Sequence, residues 1–280
     1  MALLDRSKQP AVRGRNRPAI LLVLACFSTL AMAEVRSVDG LRFSKVLLQG
    51  ANQLEIRSGE TGELKFRGDP RDLEPPPFVL DGDTLRLGMT VDGTKVDDIQ
   101  YKLAVTRLEV LQVMGSGEAF VKPLDATRLV ISLDGSGAIR LYDLTGTELE
   151  LQLAGSGELQ AARVESQTTR LQVNGSGDIQ VGELQTGLLK VHLAGSGDIT
   201  LESDSHTDSL EIAVLGSGDV GMAKLSADDA RVTIIGSGDV EIRVLDQLEA
   251  EILGSGDLRY RGAPAISTSI LGSGEVRRRD

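Results

Sequence analysis

The chain has 280 residues, enough for one large or two ordinary domains. Hydrophobic residues make up 41%, yet aromatics only 3%, and Trp is absent. This predicts a core of thin Val, Leu and Ile layers and argues against a ring-rich globule. The formal charge is −11, the wrong sign for phosphate, so no nucleic-acid partner is expected.

The N-terminus has the pattern of an export signal. Arg6, Lys8, Arg13, Arg15 and Arg17 precede the apolar run "PAILLVLACFSTL", and Ala31-Met32-Ala33 supplies an A-x-A site with cleavage before Glu34. The apolar run is short for a membrane span. Residues 1–33 are therefore read as a signal peptide, with an uncleaved anchor as the alternative. Cys26, the single cysteine, lies inside this segment. Lipidation at Cys26 is the other alternative, although "VLA" before it is an imperfect fit. Cleavage after Ala33 leaves no cysteine and hence no disulfide. It also leaves 25 basic residues against 40 acidic, a balance of −15. An exported protein, periplasmic, secreted or surface-associated, with no membrane span in its mature part, is expected.

Residues 34–110 are read as an irregular N-terminal β portion. Val46, Leu48, Gly50, Leu54 and Ile56 alternate as a strand, turn and strand should, with "GANQ" at the bend. The apolar pairs Leu64/Phe66, Leu85/Leu87 and Leu103/Val105 follow at spacings near 20. Between them "DPRDLEPPPFVLDG" carries four prolines, which break a strand ladder. A separate small β domain is the alternative.

Residues 111–280 repeat. Gly-Ser-Gly begins at Gly115, Gly135, Gly155, Gly175, Gly195, Gly216, Gly236, Gly254 and Gly272, at spacings of 18 to 21. Four and two residues before each bend stand aliphatic residues, such as Val191 and Leu193 before Gly195; Thr268 is the single polar member. After the bend, alternation resumes four and six residues on, as in Ile199 and Leu201. Nine residues on, Leu124, Leu144, Val164, Leu184, Leu225 and Leu245 mark an apolar corner. A 20-residue unit cannot bury its inner face alone but can against copies of itself. Nine rungs about 4.8 Å apart would make a rod roughly 43 Å long. The fold class is accordingly all-β: a right-handed parallel β-helix with coils of about 20 residues and a less regular N-terminal β cap.

"VDGLRFSKVLLQGANQLEIRSG", "DGDTLRLGM" and the serial GSGD bends resemble the head GIN domain family, labelled adhesin heads of autotransporters. The resemblance covers about residues 40–276 and implies a right-handed β-helix in exported bacterial proteins. The chain departs from an autotransporter in ending eight residues after Gly272, without a segment for a membrane barrel. It is not expected to be a complete autotransporter by itself.

Three roles can be weighed for the bends. A phosphate loop needs a helix after the glycines, whereas strands follow here. An acid also follows the bend in eight of nine copies, Ala138 being the exception. Calcium needs several oxygens per site. Asp178, Asp198, Asp219, Asp239 and Asp257, stacked at about 4.8 Å, would repel by roughly 0.9 kcal/mol per pair in water. They are the weak cation candidates, but one acid per 20 residues lacks the density of a calcium roll. The favoured role is structural. The glycines make the corner, Ser176, Ser196, Ser217 and their sisters stack as a hydroxyl ladder bonding the neighbouring turn, and the acids accept turn N–H groups.

The residue before each bend is mixed at first, then becomes Leu215, Ile235, Leu253 and Leu271. Alternation points this position outward, giving an apolar interface stripe; a curled corner that tucks it inward is the alternative. His192 and His206, the two histidines, are read as solvated, His206 in a polar loop. Arg277, Arg278 and Arg279 would guard the last rung's edge against end-to-end stacking. No catalytic residue and no cofactor are expected. The expected function is an exported, non-catalytic, adhesin-like binding or structural module of the cell envelope, with an envelope protein or glycan as partner and self-association possible. The alternatives are a polysaccharide-active β-helix enzyme and a cation-binding envelope protein.

Overall fold

The structure, a computed structural model, describes residues 33–279; the expected signal peptide and Cys26 lie outside them. Twenty strands and one 3-10 turn (Pro70–Leu73) follow in order. The first seven strands are β1 (Glu34–Leu41), β2 (Lys45–Gln49), β3 (Gln53–Ser58), β4 (Gly62–Gly68), β5 (Phe78–Asp81), β6 (Thr84–Leu87) and β7 (Gln100–Val105). The regular coils comprise β8 (Val110–Gly115), β9 (Glu118–Val121), β10 (Leu124–Gly135), β11 (Ala138–Gly155), β12 (Glu158–Gly175) and β13 (Asp178–Gly195). They continue as β14 (Ile199–Leu201), β15 (Ser205–Gly216), β16 (Val220–Gly236), β17 (Val240–Gly254), β18 (Leu258–Arg261), β19 (Ala265–Gly272) and β20 (Val276–Arg278).

From β8 onward all pairing is parallel, and each bend glycine sits beside the next: Gly175 on Gly195, Gly195 on Gly216, Gly216 on Gly236. The protein is a parallel β-solenoid. Alternation places Val191, Leu193, Ile212, Val214, Val232 and Ile234 inward, and all are buried. Each coil covers the apolar face of its neighbour, and that burial drives the stacking.

The "GANQ" coil joins this register directly. Val46 and Leu48 lie beside Leu111 and Val113, and Leu54 and Ile56 beside Ala119 and Val121. The N-terminal coils are nevertheless out of chain order. β6 and β7 pair with the far edges of β2 and β3, so the second coil in sequence lies outside the first. The chain then returns to β8 on the near edge. β5 covers β6, and β4 covers β7, both antiparallel; β1 in turn covers β4. Leu64 and Phe66 therefore belong to an antiparallel cap strand and not to a coil, although their spacing fits the repeat.

The last coils are two residues shorter. The register slips between Met222 and Ser226, so that Val244 pairs with Ala227 and is buried. Leu245, expected at the apolar corner, is displaced outward and 41% exposed.

Candidate functional site

The corner edge of the solenoid carries most of the residues singled out by sequence. At each bend the first glycine has positive φ, from +114° at Gly115 to +145° at Gly135, a region L side chains avoid. The serines behave differently from expectation. Their hydroxyls face solvent and make no hydrogen bond to a neighbouring turn among the described residues. The backbone makes the ladder instead: the Ser196, Ser217 and Ser237 N–H groups donate to the Gly175, Gly195 and Gly216 carbonyls at 2.8–2.9 Å. Ser176 does the same to Gly155 at 2.9 Å.

The acids have a specific task. The N–H of Asp198 donates to Asp178 Oδ1 at 2.9 Å, that of Asp219 to Asp198 Oδ1 at 3.0 Å, and that of Asp239 to Asp219 Oδ1 at 2.8 Å. Asp257 and Glu275 continue the ladder onto Asp239 and Asp257 at 2.9 and 3.0 Å. In earlier coils the corresponding N–H reaches a glycine carbonyl, as from Glu158 to Gly137. Every acid that accepts from the next rung is therefore Asp, short enough to hold its oxygen over the amide one rung away. Glu118, Ala138 and Glu158 sit where no such acceptor is used, and Glu275 only donates. Arg259 adds charge at the end of the row, 2.9 Å from Asp239 Oδ2 and 3.4 Å from Asp257 Oδ2.

One oxygen of each of these carboxylates is thus already engaged by the fold. We expect Asp219→Ala to lower stability by about 1–2 kcal/mol, because the Asp239 N–H loses a charged acceptor. Asp219→Asn keeps an acceptor oxygen and should recover most of that loss. Calcium should leave the melting curve of the wild type unmoved; a calcium-dependent rise abolished by Asp219→Asn would show that the row serves a cation.

The position before the bend faces outward, as alternation predicts, and is not tucked in. Leu215 lies beside Ile235, Ile235 beside Leu253, and Leu253 beside Leu271. Leu215 is 40%, Ile235 44% and Leu271 74% exposed, with Leu253 half-buried. Ala194 precedes them in the same column. The result is a continuous aliphatic column along the C-terminal half, with the Asp row across the Gly-Ser-Gly bend from it.

His206 lies in a strand, β15, and not in a loop, and it has a partner: its Nε2 is 3.3 Å from Asp208 Oδ1. With Asp228 of the next coil these residues bring three ligand-type atoms within 4.8 Å of one another. Of the residues that could hold a metal, this trio converges more closely on one point than the expected row does. His192 is half-exposed on an outward position between Gln172 and Ala213. Elsewhere the surface charges pair along the coils, as between Arg231 and Glu249 at 2.6 Å or Arg163 and Glu183 at 3.0 Å. These pairs run rung to rung over open faces, and the described residues show no enclosed cleft lined by a converging acid and base.

Sequence reading passed over Asn52. It occupies the place of the second glycine in the "GANQ" bend and is buried. Its amide donates to the Gln49 and Val96 carbonyls at 2.7 and 2.8 Å and accepts from the Ile99 N–H at 2.8 Å. Beside it, the Ala51 N–H donates to Asp97 Oδ1 at 2.7 Å. Together these contacts hold the loop that leads into β7, the coil lying outside β2 and β3. Tyr101 secures the same end: its hydroxyl donates to the Pro77 carbonyl at 2.7 Å and accepts from Gly88 N–H at 3.0 Å. Burial pushes the phenol pKa well above its usual value. The available signal for Asn52 was the break in the repeat itself, an amide where every other bend has glycine.

Comparison with known proteins matches a family model described as "Putative auto-transporter adhesin, head GIN domain" to residues 42–208 and 161–264, two overlapping stretches of one repeating chain. The chain belongs to the head GIN domain family. Among the solved structures that share its fold are three from Parabacteroides. One, described as a putative adhesin from Parabacteroides merdae, is 19% identical, covers 89% of this chain and 96% of its own, and has a TM-score of 0.67. A putative adhesin from Parabacteroides distasonis is 20% identical, with 89% and 98% coverage and a TM-score of 0.69. A protein of the same species described as a putative lipid binding protein is 23% identical, with 89% and 97% coverage and a TM-score of 0.67. No curated protein matched the sequence.

Proposed function

We propose that this head GIN protein is an exported, non-catalytic, adhesin-like module that binds a protein partner through its corner edge. The observation that carries this reading is the column Leu215, Ile235, Leu253 and Leu271, stacked in register and exposed except at the half-buried Leu253. An apolar strip on an otherwise polar surface is what a docking site requires. The Asp row across the bend favours a partner whose apolar patch has a basic rim, since opposite charge at a rim steers encounter. A glycan is less well matched: sugars stack on rings, and of the few aromatics in the described chain Tyr142, at 44%, is the one markedly exposed. The family's adhesin label and its export signal pattern support a place in the envelope or on the surface.

The test is capture from envelope extract with the purified protein as bait, beside a Leu215→Lys, Ile235→Lys double variant. Both sites are exposed, so the variant should melt within a few degrees of wild type. Partner retention should fall at least tenfold. Equal retention by the two proteins would remove the column from the function, and cleavage of a glycan panel by the wild type would replace binding with catalysis.

A further inference from the structure

The two ends of the solenoid are finished differently. At the N-terminal end, β6 and β7 are covered by antiparallel strands, and the outermost strand, β1, carries Glu34, Arg36 and Asp39. Charges of this kind protect a sheet edge from pairing with another chain. At the other end β19 pairs with β17, and among the described residues nothing lies against its second edge. All eight residues of β19, AISTSILG, are exposed, and none is charged.

The inner face of the solenoid is open there as well. Leu248, Ala250 and Ile252 of β17 are buried, but their partners one rung on, Ile266 and Ile270, are 44% and 43% exposed. These two side chains and Thr268 occupy core positions, and among the described residues no coil lies above them. Leaving them this exposed forgoes close to half of the burial that each earlier rung has.

The strand also reads nearly the same in both directions about Thr268. Ser267 and Ser269 flank it, and Ile266 and Ile270 come next. We propose that β19 pairs antiparallel with β19 of a second copy, on a two-fold axis through Thr268. In this register Thr268 faces Thr268 of the partner subunit, and each Ile266 faces an Ile270, so the isoleucines of both copies close one continuous core. The serines pair on the outer face. A shift by two residues would set Ile against Thr, and a shift by one would turn the isoleucines outward. Such a contact is isologous and closes at two subunits, whereas head-to-tail stacking would oppose β19 to charged β1 and grow into a filament.

Of the three arginines beyond β19, Arg278 is exposed and the other two are paired. Arg277 pairs with Glu275, and Arg279 with Glu241, within the same chain. The contact made by β19 and its terminal coil, residues 262–279, is smaller than the roughly 20–30 residues per side of a standard interface, so a weak, concentration-dependent dimer is expected, with a Kd on the order of micromolar or weaker.

Sedimentation velocity of the purified protein should show a monomer–dimer equilibrium in that range. Thr268→Lys sets two ammonium groups opposite each other at the axis and should give monomer at every concentration, with circular dichroism and melting unchanged because the site is exposed. Thr268→Cys should form a disulfide-linked dimer under mild oxidation, identified by mass spectrometry as a 268–268 crosslink, since directly opposed antiparallel residues lie within disulfide reach. The Leu215→Lys, Ile235→Lys variant should still dimerise, which separates this contact from the proposed partner surface. A wild type that stays monomeric well above micromolar concentration, or a dimer that survives Thr268→Lys and yields no 268–268 crosslink, would overturn the proposal.

Discussion

Gly236→Ala is expected to destabilise the protein by about 3–5 kcal/mol and to open its C-terminal coils first. Gly236 has φ +132°, and a Cβ there would stand 2.2 Å from the Gly216 carbonyl oxygen of the rung below. That oxygen also accepts from Ser237 N–H at 2.8 Å and Gly238 N–H at 3.2 Å. Relief of the clash must move the rung and loosen both bonds. A strained backbone costs roughly 1–3 kcal/mol, and each loosened bond about 1. For a domain of this size the sum corresponds to a fall in Tm of roughly 10 °C. Because coils interact only with their neighbours, the loss should be local. Hydrogen exchange should rise from Val240 to Leu258 before it rises around Leu133. Gly221→Ala is the control, since its nearest atom would be Thr200 Cγ2 at 3.6 Å and it has no positive φ. Ser237→Ala should also be close to neutral, because its backbone and not its hydroxyl makes the rung bond. A Gly236→Ala protein that melts with the Gly221→Ala control would show that the corner is not limited by rung contact.

Asn52→Gly is the second large effect, and it tests what the break in the repeat is for. The substitution gives "GANQ" the glycine that every regular bend has at that place. If turn geometry were the constraint, the variant would be neutral or stabilising. The structure predicts a loss of about 3 kcal/mol instead. The Ile99 N–H loses its acceptor, and the Val96 and Gln49 carbonyls lose their donors, all in a buried setting. Asn52→Asp keeps the shape but sets a carboxylate against two carbonyls, so it should be at least as damaging. The site of the damage is also predicted. Limited proteolysis should cut first between Gly88 and Ile99, releasing the outer coil, while the coils after Gly115 stay folded. Proteolysis that begins in the regular coils would count against the latch.

The repeat was legible because each of its physical requirements leaves a mark at a fixed spacing. Inward positions must be aliphatic and corner positions must be glycine, so Val214, Gly216 and Val220 recur as Ile234, Gly236 and Val240. The same logic placed "GANQ" in register with the bends 65 residues later in the chain. It failed where a residue obeyed the period for another reason. Leu64 and Phe66 alternate like coil residues but form an antiparallel cap. Leu245 keeps its count from the bend, yet a two-residue shortening leaves it outside and buries Val244 beside Ala227 instead. The serines recur as faithfully as the glycines, but their hydroxyls are idle in the ladder. The acids were correctly read as acceptors of turn amides, but the choice between Asp and Glu acquired meaning only once the next rung was in place.

Sequence alone therefore determined the solenoid, its inward ladders and its corner glycines, because all of these follow from a two-residue alternation within a 20-residue period; whether the column before the bends points outward was settled only by the fold. Tertiary structure decided the rest: the inverted order of the first two coils, the Asn52 latch, the reach of each Asp to the next amide, and the different finish of the two ends. These depend on which segments come to lie against one another across tens of residues, and no local pattern specifies that. Thr268 shows the difference well. In the sequence it is one polar entry in an aliphatic column; at the open edge of the fold it becomes the centre of a strand that matches its own reverse.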